Sequence, residues 1–296
     1  MASSPMRLRS ETRFHARSIS FPSRSHPLIS QFNDYLLRME LDSEATSSSP
    51  NLSSMINKLS SLENLYECVD ELMQLPYTRQ VFARESREKW VDQTLEGHLR
   101  LLDACNTTKQ VFSQTKEDLQ DILSVLRRRR EADDLYSYSI SRTKAKKMIH
   151  KSLKEMNCSR HIKRTVLESE KDHETIAIIS MLRDVESVTL DLFESFLSYV
   201  AGTNVQSRWS RWSLVSRLMH SRRASYDEKN LNEFDKVDTG LMSLAGTKFT
   251  NMGRTENVQN ELREMESSIQ ILEEGLECLF KRLIKTRVSL LNMLSH

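Results

Sequence analysis

The sequence is poor in the two residues that interrupt helices, proline and glycine. After Pro76 the remaining 220 residues contain no proline, although ordinary usage of about 5% would supply about eleven. The whole chain contains only six glycines. Because proline inside a helix costs about 3 kcal/mol, a stretch of this length without it is typical of long helices. The same scarcity leaves little material for the glycine-rich loops that cradle phosphates or present a nucleophile.

Three further absences narrow the class of protein. The longest apolar run is only Ile176 to Ile179, whereas a membrane-spanning helix needs about 20 apolar residues. The sequence contains no HExxH, P-loop or GxGxxG motif. No C-x-x-C pair occurs among the four cysteines, which are Cys68, Cys105, Cys158 and Cys278. We therefore expect a soluble or peripheral cytoplasmic protein with buried thiols and with no catalytic, cofactor-binding or metal-binding residues.

The net charge of +2 conceals three basic blocks. Residues 1–30 carry a net charge of +4, residues 127–164 carry +9, and residues 203–223 carry +5. The rest of the chain must then carry −16. Charge sorted in this way indicates surfaces that meet each other or an acidic partner.

The first 51 residues are predicted to lie outside the folded domain. Residues 1–28 are rich in serine and arginine, contain three prolines and have no helical period, which predicts disorder. A short apolar patch over 29–39 is consistent with one isolated helix, and the serine-rich stretch 43–51 is typical of a flexible linker. The N-terminal segment also has the composition of an organelle transit peptide, so a chloroplast location is the alternative to a cytoplasmic one.

Apolar residues spaced three and four apart predict a helical domain over residues 52–296. The predicted helices before residue 203 are 52–75, about 78–130 with a break near 106–108, about 139–157 anchored by Ile140, Met148 and Leu153, and about 165–201. Pro76 should stop the first of them, since the residue before a proline disfavours the helical conformation. Gly202 is a natural cap for the last, because glycine tolerates the left-handed conformation.

The last helix has the most regular pattern in the chain. Eleven positions alternate spacings of four and three, and all but one are apolar: Val258, Leu262, Met265, Ile269, Leu272, Leu276, Leu279, Leu283, Thr286, Leu290 and Met293. A second set widens this stripe: Phe280, Ile284, Val288 and Leu291. The wide face favours the middle of a bundle over a two-stranded coil. Gly275 inside the helix should cost about 1 kcal/mol relative to alanine.

These patterns predict an all-α protein, an antiparallel bundle of long helices with a disordered basic N-terminus. The basic, tryptophan-containing linker 203–225 is expected to be loosely ordered within it. The heptad could pair within one chain or between chains, so a homo-oligomer stays open.

The sequence resembles the BYPASS-related family, a plant-specific group of unknown biochemical activity. The resemblance rests on strings spread along the chain: RSISFPSRSHP at 17–27, LYECVD at 65–70, LP at 75–76, KWVD at 89–92, LLDAC at 101–105, RRRR at 127–130 and TRVSLLN at 286–292. It implies an all-helical plant protein, with roles in root and shoot development assigned to the namesake, and it brings no catalytic residues. It also implies that 17–27 is a retained recognition segment. One departure is the string LEGHLR at 95–100.

One candidate site is a basic patch in the most positive block. Its members are Arg127, Arg128, Arg129, Arg130, Lys144, Lys146 and Lys147. Such a patch can bind the phosphates of lipids or of nucleic acid, and nucleic acid is the less favoured of the two because aromatic residues for stacking are scarce there. The open alternative is an intramolecular match, in which the patch packs against acidic stretches such as 168–174 or 261–266.

A second candidate site lies in the linker 203–225. Its members are Arg208, Trp209, Arg211, Trp212, Arg217, Arg222 and Arg223. Interleaved arginine and tryptophan are consistent with contact to an anionic membrane surface or a calmodulin-like partner. Ser225 follows an arginine pair in a pattern that basophilic kinases accept, and a phosphate there would add about −1.5 to −2 charge. The alternative is an ordinary linker that docks its tryptophans on the bundle.

The remaining chemistry is sparse. Cys158, His161 and His173 are one conceivable metal cluster, but zinc sites need four ligands in close pairs, so we assign these residues packing or solvated roles. We predict a non-enzymatic helical adaptor or regulatory protein that binds other proteins through its helical surfaces. Two alternatives stay open: a peripheral membrane-binding protein that uses the basic segments, and an enzyme or small-molecule binder.

Overall fold

The computed structural model describes residues 27–45, 51–128, 132–160, 173–202, 232–246 and 252–295. These residues form eight helices and no strand, which confirms the predicted all-α class. The helices are α1 (Pro27–Ala45), α2 (Leu52–Gln74), α3 (Pro76–Arg84), α4 (Lys89–Arg128), α5 (Ala132–Arg160), α6 (His173–Ala201), α7 (Glu233–Gly246) and α8 (Met252–Leu294). The predicted disorder of residues 1–26 falls outside the described ranges.

Helix boundaries follow local chemistry where the sequence signals are strong. Asn51 caps α2, because its side chain accepts a hydrogen bond from the Ser54 backbone at 2.7 Å while the Ser54 hydroxyl accepts one from the Asn51 backbone. The helix ends before Pro76, as predicted, with Leu75 in an extended conformation. Gly202 ends α6 with φ +72°, which confirms its predicted capping role.

The predicted break near 106–108 is wrong. α4 runs without interruption over 40 residues, and the chain breaks earlier, between α3 and α4, where the Trp90 indole donates to Glu85 at 2.8 Å. Thr108 lies fully buried inside α4 and donates its hydroxyl to the Ala104 carbonyl at 2.8 Å. Weak helix propensity costs only a few tenths of a kcal/mol per residue, so burial in the bundle outweighs it.

Four helices, α2, α4, α6 and α8, form the centre of the bundle. α8 runs antiparallel to α4, since Lys109 pairs with Glu277 and Lys116 pairs with Glu273. α5 follows α4 after a short connection and also runs antiparallel to it, since Ser141 on α5 donates to Asp118 on α4 at 2.8 Å. These neighbours follow the arrangement that we predicted.

Two of the central pairs run parallel instead. Contacting residues advance together along both helices of each pair: Glu67 with Arg282 and Asp70 with Thr286 on α2 and α8, and Arg100 with Glu186 and Phe112 with Phe196 on α4 and α6. The chain passes through other helices between the members of each pair, so no hairpin forces them to be antiparallel.

The eleven heptad positions of α8 are all buried, which confirms the predicted stripe. The predicted widening of that stripe is wrong in part, because Ile284, Val288 and Leu291 are 42–48% exposed. Packing α8 between two long helices uses the heptad face and leaves the adjacent face outside. The buried apolar contacts of α8 within the chain therefore come mainly from the heptad.

Thr286, the polar member of the heptad, has a buried partner. Its hydroxyl donates to the Asp70 carboxylate on α2 at 2.8 Å, and the Lys285 ammonium lies 3.2 Å from the same carboxylate. A buried hydroxyl must find an acceptor, and this one does so across the α2–α8 contact. The polar position thus fixes the register of the two helices.

Gly275 allows the same two helices to approach closely. A Cβ atom at this position would lie 2.7 Å from Cδ2 of the buried Leu59. Glycine therefore carries the predicted cost in helix propensity, but it allows a close contact with Leu59 that the Cβ of alanine would obstruct.

α1 belongs with the bundle, which differs from the domain boundary predicted at residue 52. It packs against α2 and α6, and its Phe32 and Met39 side chains are buried. The predicted helix near 29–39 is present and is longer than expected, but it is not isolated, because its apolar face finds α2.

The described cysteines are free thiols with two different environments. Cys68 and Cys105 are buried, and burial raises their pKa values to about 11 and about 12. Such thiols are inert at neutral pH, as expected from the sequence. Cys278 is exposed, so the expectation of buried thiols is wrong at that position.

His98 makes the stability of the fold pH-dependent. Burial lowers the pKa of its imidazole to about 4, and its Nε2 has no hydrogen-bond partner within the described part of the chain. The folded chain therefore stays neutral at His98 while the unfolded chain gains a proton as pH falls below about 6.5. Stability from this residue is complete above pH 6.5 and is lost as pH falls toward 4.

We expect wild type to lose about 2 kcal/mol of unfolding free energy from this residue between pH 8 and pH 5. A His98→Leu variant should not lose this part of its unfolding free energy between the two pH values. Urea unfolding of both proteins at the two pH values measures the difference. Parallel losses in the two proteins would contradict the assignment.

Candidate functional site

α5 carries seven lysines and arginines, more than any other helix of the described ranges. It packs against α4 and α6 through Arg142, Ala145, Ile149 and Met156, which are buried. Two of its predicted anchors are wrong, because Ile140 and Met148 are 43% and 46% exposed. Burial of Arg142 instead of Ile140 sets this register and turns the apolar pair outward.

The outward side of α5 forms what we call the lysine face. It consists of the exposed residues Lys144, Lys147, Lys151 and Lys154 together with Ile140 and Met148. The lysines extend over ten residues, or about 15 Å of helix. Glu155 is the acid next to them, 3.8 Å from Lys151, and both side chains of that pair are largely exposed. The face is therefore positively charged and has two apolar side chains among its lysines.

The inward side of α5 is matched by an acid from α7. Asp238 accepts from the Tyr138 hydroxyl at 2.7 Å and from Arg142 Nε at 3.3 Å, and Lys146 Nζ lies 3.6 Å away. Lys146, which we placed in the anion-binding patch, thus turns toward an internal partner. The intramolecular alternative holds for this side of the helix, although Asp238 lies in neither of the acidic stretches that we named.

Arg142 is the most confined charge in this region. Its side chain is 7% exposed, and its guanidinium stacks on the Phe234 ring at 4.8 Å. Among the described residues, neither Nη atom has a hydrogen-bond partner. Asp238 is its acceptor. Burial, followed by the neighbouring Asp238, raises the pKa of Tyr138, so this hydroxyl stays protonated and donates. Sequence alone gave no signal that Arg142 and Lys146 both face Asp238.

The arginine run and the lysines do not form one cluster in the described residues. Arg127 and Arg128 are exposed in the last turn of α4, and Arg129 and Arg130 lie outside the described ranges. α5 begins only a few residues later, whereas Lys144 is twelve residues into it, which is about 18 Å along the helix. Of the predicted patch, Lys144 and Lys147 remain together on the lysine face.

The second candidate site lies outside the described residues. This applies to the arginines and tryptophans of 208–223 and to Ser225, whose roles stay predictions. The chain leaves the described part at Gly202 and returns at Asn232, whose side-chain amide donates to the Tyr199 carbonyl at 3.0 Å. The two ends of this segment are therefore held at one point, beside α6 and α7.

The metal cluster considered from the sequence also falls there, since His161 and the side chains of Cys158 and His173 are not described. In the ranges that are described, no group of three or more His, Cys, Asp or Glu side chains could hold a metal ion. Within the same ranges no helix is long and apolar enough to cross a membrane.

The fold and its surfaces define an all-α bundle protein with a lysine-rich exterior helix. The chain belongs to the family described as Protein BPS1, whose family model matches residues 58–293. This match confirms the resemblance to BYPASS-related proteins and extends from within α2 to the last turn of α8. Membership points to a plant developmental protein and carries no biochemical activity with it. No curated protein and no solved structure matched the chain.

Proposed function

We propose that the protein is a non-enzymatic helical adaptor in plant development that attaches to anionic membrane surfaces through the lysine face. The observation that carries this proposal is the row of exposed lysines on α5 with Ile140 and Met148 among them. Its root and shoot roles follow from the family resemblance alone.

The chemistry of the lysine face suits an anionic membrane surface. Each basic residue near an anionic leaflet contributes about 1 kcal/mol, and exposed apolar side chains can enter the boundary between headgroups and acyl chains. The lysine stems are long enough to keep their ammonium groups in water while that happens. Because α5 is anchored by its buried inner side, its lysines are held in one row before they meet the membrane.

An adaptor is favoured over a small-molecule binder by the size of the available space. An apolar cavity beneath α1 has a volume of about 20 Å³ and is lined by side chains such as Phe32, Val69 and Ile178. Ligand pockets are usually larger than about 300 Å³, whereas this one could take about one water molecule. In the described residues, the long exterior helix faces offer far more surface for recognition than this cavity does.

Membrane attachment can be tested by co-sedimentation of the full chain with vesicles of phosphatidylcholine, with and without phosphatidylserine. We expect binding only with phosphatidylserine. The double variant Lys144→Gln/Lys147→Gln should bind about 30-fold more weakly, because two lysines contribute about 2 kcal/mol. High salt should reduce binding of wild type.

The matched control is Lys89→Gln/Lys236→Gln, which removes the same charge from exposed positions on α4 and α7. It should keep most of the wild-type binding. Equal weakening by both double variants would point to net charge alone, and absence of vesicle binding by wild type at low salt would discard the proposal.

A further inference from the structure

The seam between the antiparallel helices α4 and α8 changes character along its length. At one end it is polar, with Lys109 against Glu277 and Lys116 against Glu273. At the other end it is apolar. We call this part the apolar band, and its residues are Leu95, Leu99, Leu102, Phe280, Ile284, Val288 and Leu291.

The apolar band lies on the outside of the bundle. Leu99, Ile284 and Leu291 are each 42% exposed, and Val288 is 48% exposed. The other three members are half-buried. Within the described ranges, this is the richest run of exposed large apolar side chains, and contiguous exposure of this kind marks an interaction site.

The two borders of the apolar band carry opposite charges. Along α4, the exposed side chains beyond Leu99 are Asp92, Glu96 and Asp103. Along α8, the exposed side chains beyond Val288 are those of Lys281 and Lys285. The two lysines have partners in the chain, Glu277 at 3.5 Å and Asp70 at 3.2 Å, but they are 72% and 65% exposed and can take a further carboxylate.

We propose that the apolar band binds a second copy of this chain about a two-fold axis parallel to α4 and α8. Such a rotation places α4 of one copy over α8 of the other and keeps every residue at its own height along the axis. The acidic border of each copy then meets the lysine border of the other, and each contact occurs twice.

The heights of the charges fit this arrangement. Lys109 contacts Glu277, and Arg287 donates to the Leu95 carbonyl at 2.6 Å, so Asp103 and Lys281 both lie between these two contacts. Asp103 of one copy therefore faces Lys281 of the other. A two-fold axis across the helices would instead place α4 over α4 and bring acid against acid, which costs binding energy.

This dimer uses a different side of α8 from the heptad, which stays within the chain. It also leaves the lysine face of α5 untouched. Failure of the dimer proposal and failure of the membrane proposal can therefore be told apart.

The test is the mass of the full chain in solution, measured by sedimentation velocity over a range of concentrations. Wild type should dimerise, and Asp103→Lys or Lys281→Asp alone should weaken the dimer about tenfold or more, since each places like charges together twice. An equimolar mixture of the two single variants should restore it, because both facing pairs are then opposite in charge. Ile284→Asp should give a monomer, whereas Ile271→Asp, at an exposed position on the same helix, should not.

Circular dichroism of each variant checks that the helices are retained. A wild type that stays monomeric at every concentration would overturn the proposal and leave the apolar band to a different protein. A dimer that both single variants weaken but the mixture does not restore would overturn the two-fold arrangement.

Discussion

Replacing Leu279 with alanine is expected to remove about 3–5 kcal/mol of the free energy of unfolding. Leu279 is fully buried on α8, the helix that packs against both α2 and α4. Truncation loses the transfer free energy of the side chain and leaves a cavity that long helices cannot close locally. The loss is a large part of the stability of an ordinary domain, which is about 5–15 kcal/mol.

Urea unfolding followed by circular dichroism measures this change as a shift of midpoint at constant slope. The matched control is Ile271→Ala on the same helix, where the side chain is 51% exposed. That variant should lose less than about 1 kcal/mol. Similar losses at the two positions would show that α8 does not bury its heptad face.

Asp238→Ala is expected to cost about 3–5 kcal/mol, because it strands the buried charge of Arg142. Neither Nη atom of Arg142 has a hydrogen-bond partner in the described ranges, and the substitution removes the carboxylate that accepts from its Nε. The Tyr138 hydroxyl loses its acceptor at the same time. Thermal and urea unfolding measure the loss.

Removing the charge of Arg142 instead should lower the free energy of unfolding much less than Asp238→Ala does. Arg142→Met keeps an unbranched side chain against the Phe234 ring and leaves Asp238, which is 22% exposed, with Tyr138 and Lys146 as partners. The double variant Arg142→Met/Asp238→Ala should recover most of the loss, since no buried charge is left unpaired. Equal and additive losses from the two single variants would contradict this account.

The heptad of α8 could be predicted from the sequence because eleven regularly spaced positions agree on one face. Because so many positions agree, no single residue or tertiary contact changes which face of the helix is buried. The same holds for the end of α2, where Pro76 restricts the residue before it. Signals of this kind depend on local geometry or on many residues together.

The wrong burial predictions concern helices with two apolar faces, of which the bundle covers only one. On α5, the sequence predicts Ile140 and Met148 as core residues, but both are exposed. Arg142 faces inward instead, because α7, about a hundred residues further along the chain, places Asp238 beside it. On α8, the exposed residues Ile284, Val288 and Leu291 are as apolar as the heptad. Which face is covered depends on the order and direction of the surrounding helices, and periodicity within one helix contains neither.

The candidate site was predicted in part for the same reason. The sequence located the basic helix and named Lys144 and Lys147, which do lie on the lysine face. It could not separate them from Lys146, which lies between them in the sequence and is turned toward Asp238. Successive residues of a helix point about 100° apart, so adjacent lysines face different surroundings. Which of these directions faces the core is determined only by the assembled bundle.

The central position of α8 also determines how the chain folds. Its contacts close very long loops: Asp70 and Thr286 are 216 residues apart, and Lys109 and Glu277 are 168 residues apart. Helical bundles usually fold fast because their contacts are local, whereas loops of this length must be closed before these contacts form. Until α8 has been synthesised and has docked, the apolar faces of α2 and α4 that it covers stay exposed. The nascent chain is therefore most prone to aggregation during that interval.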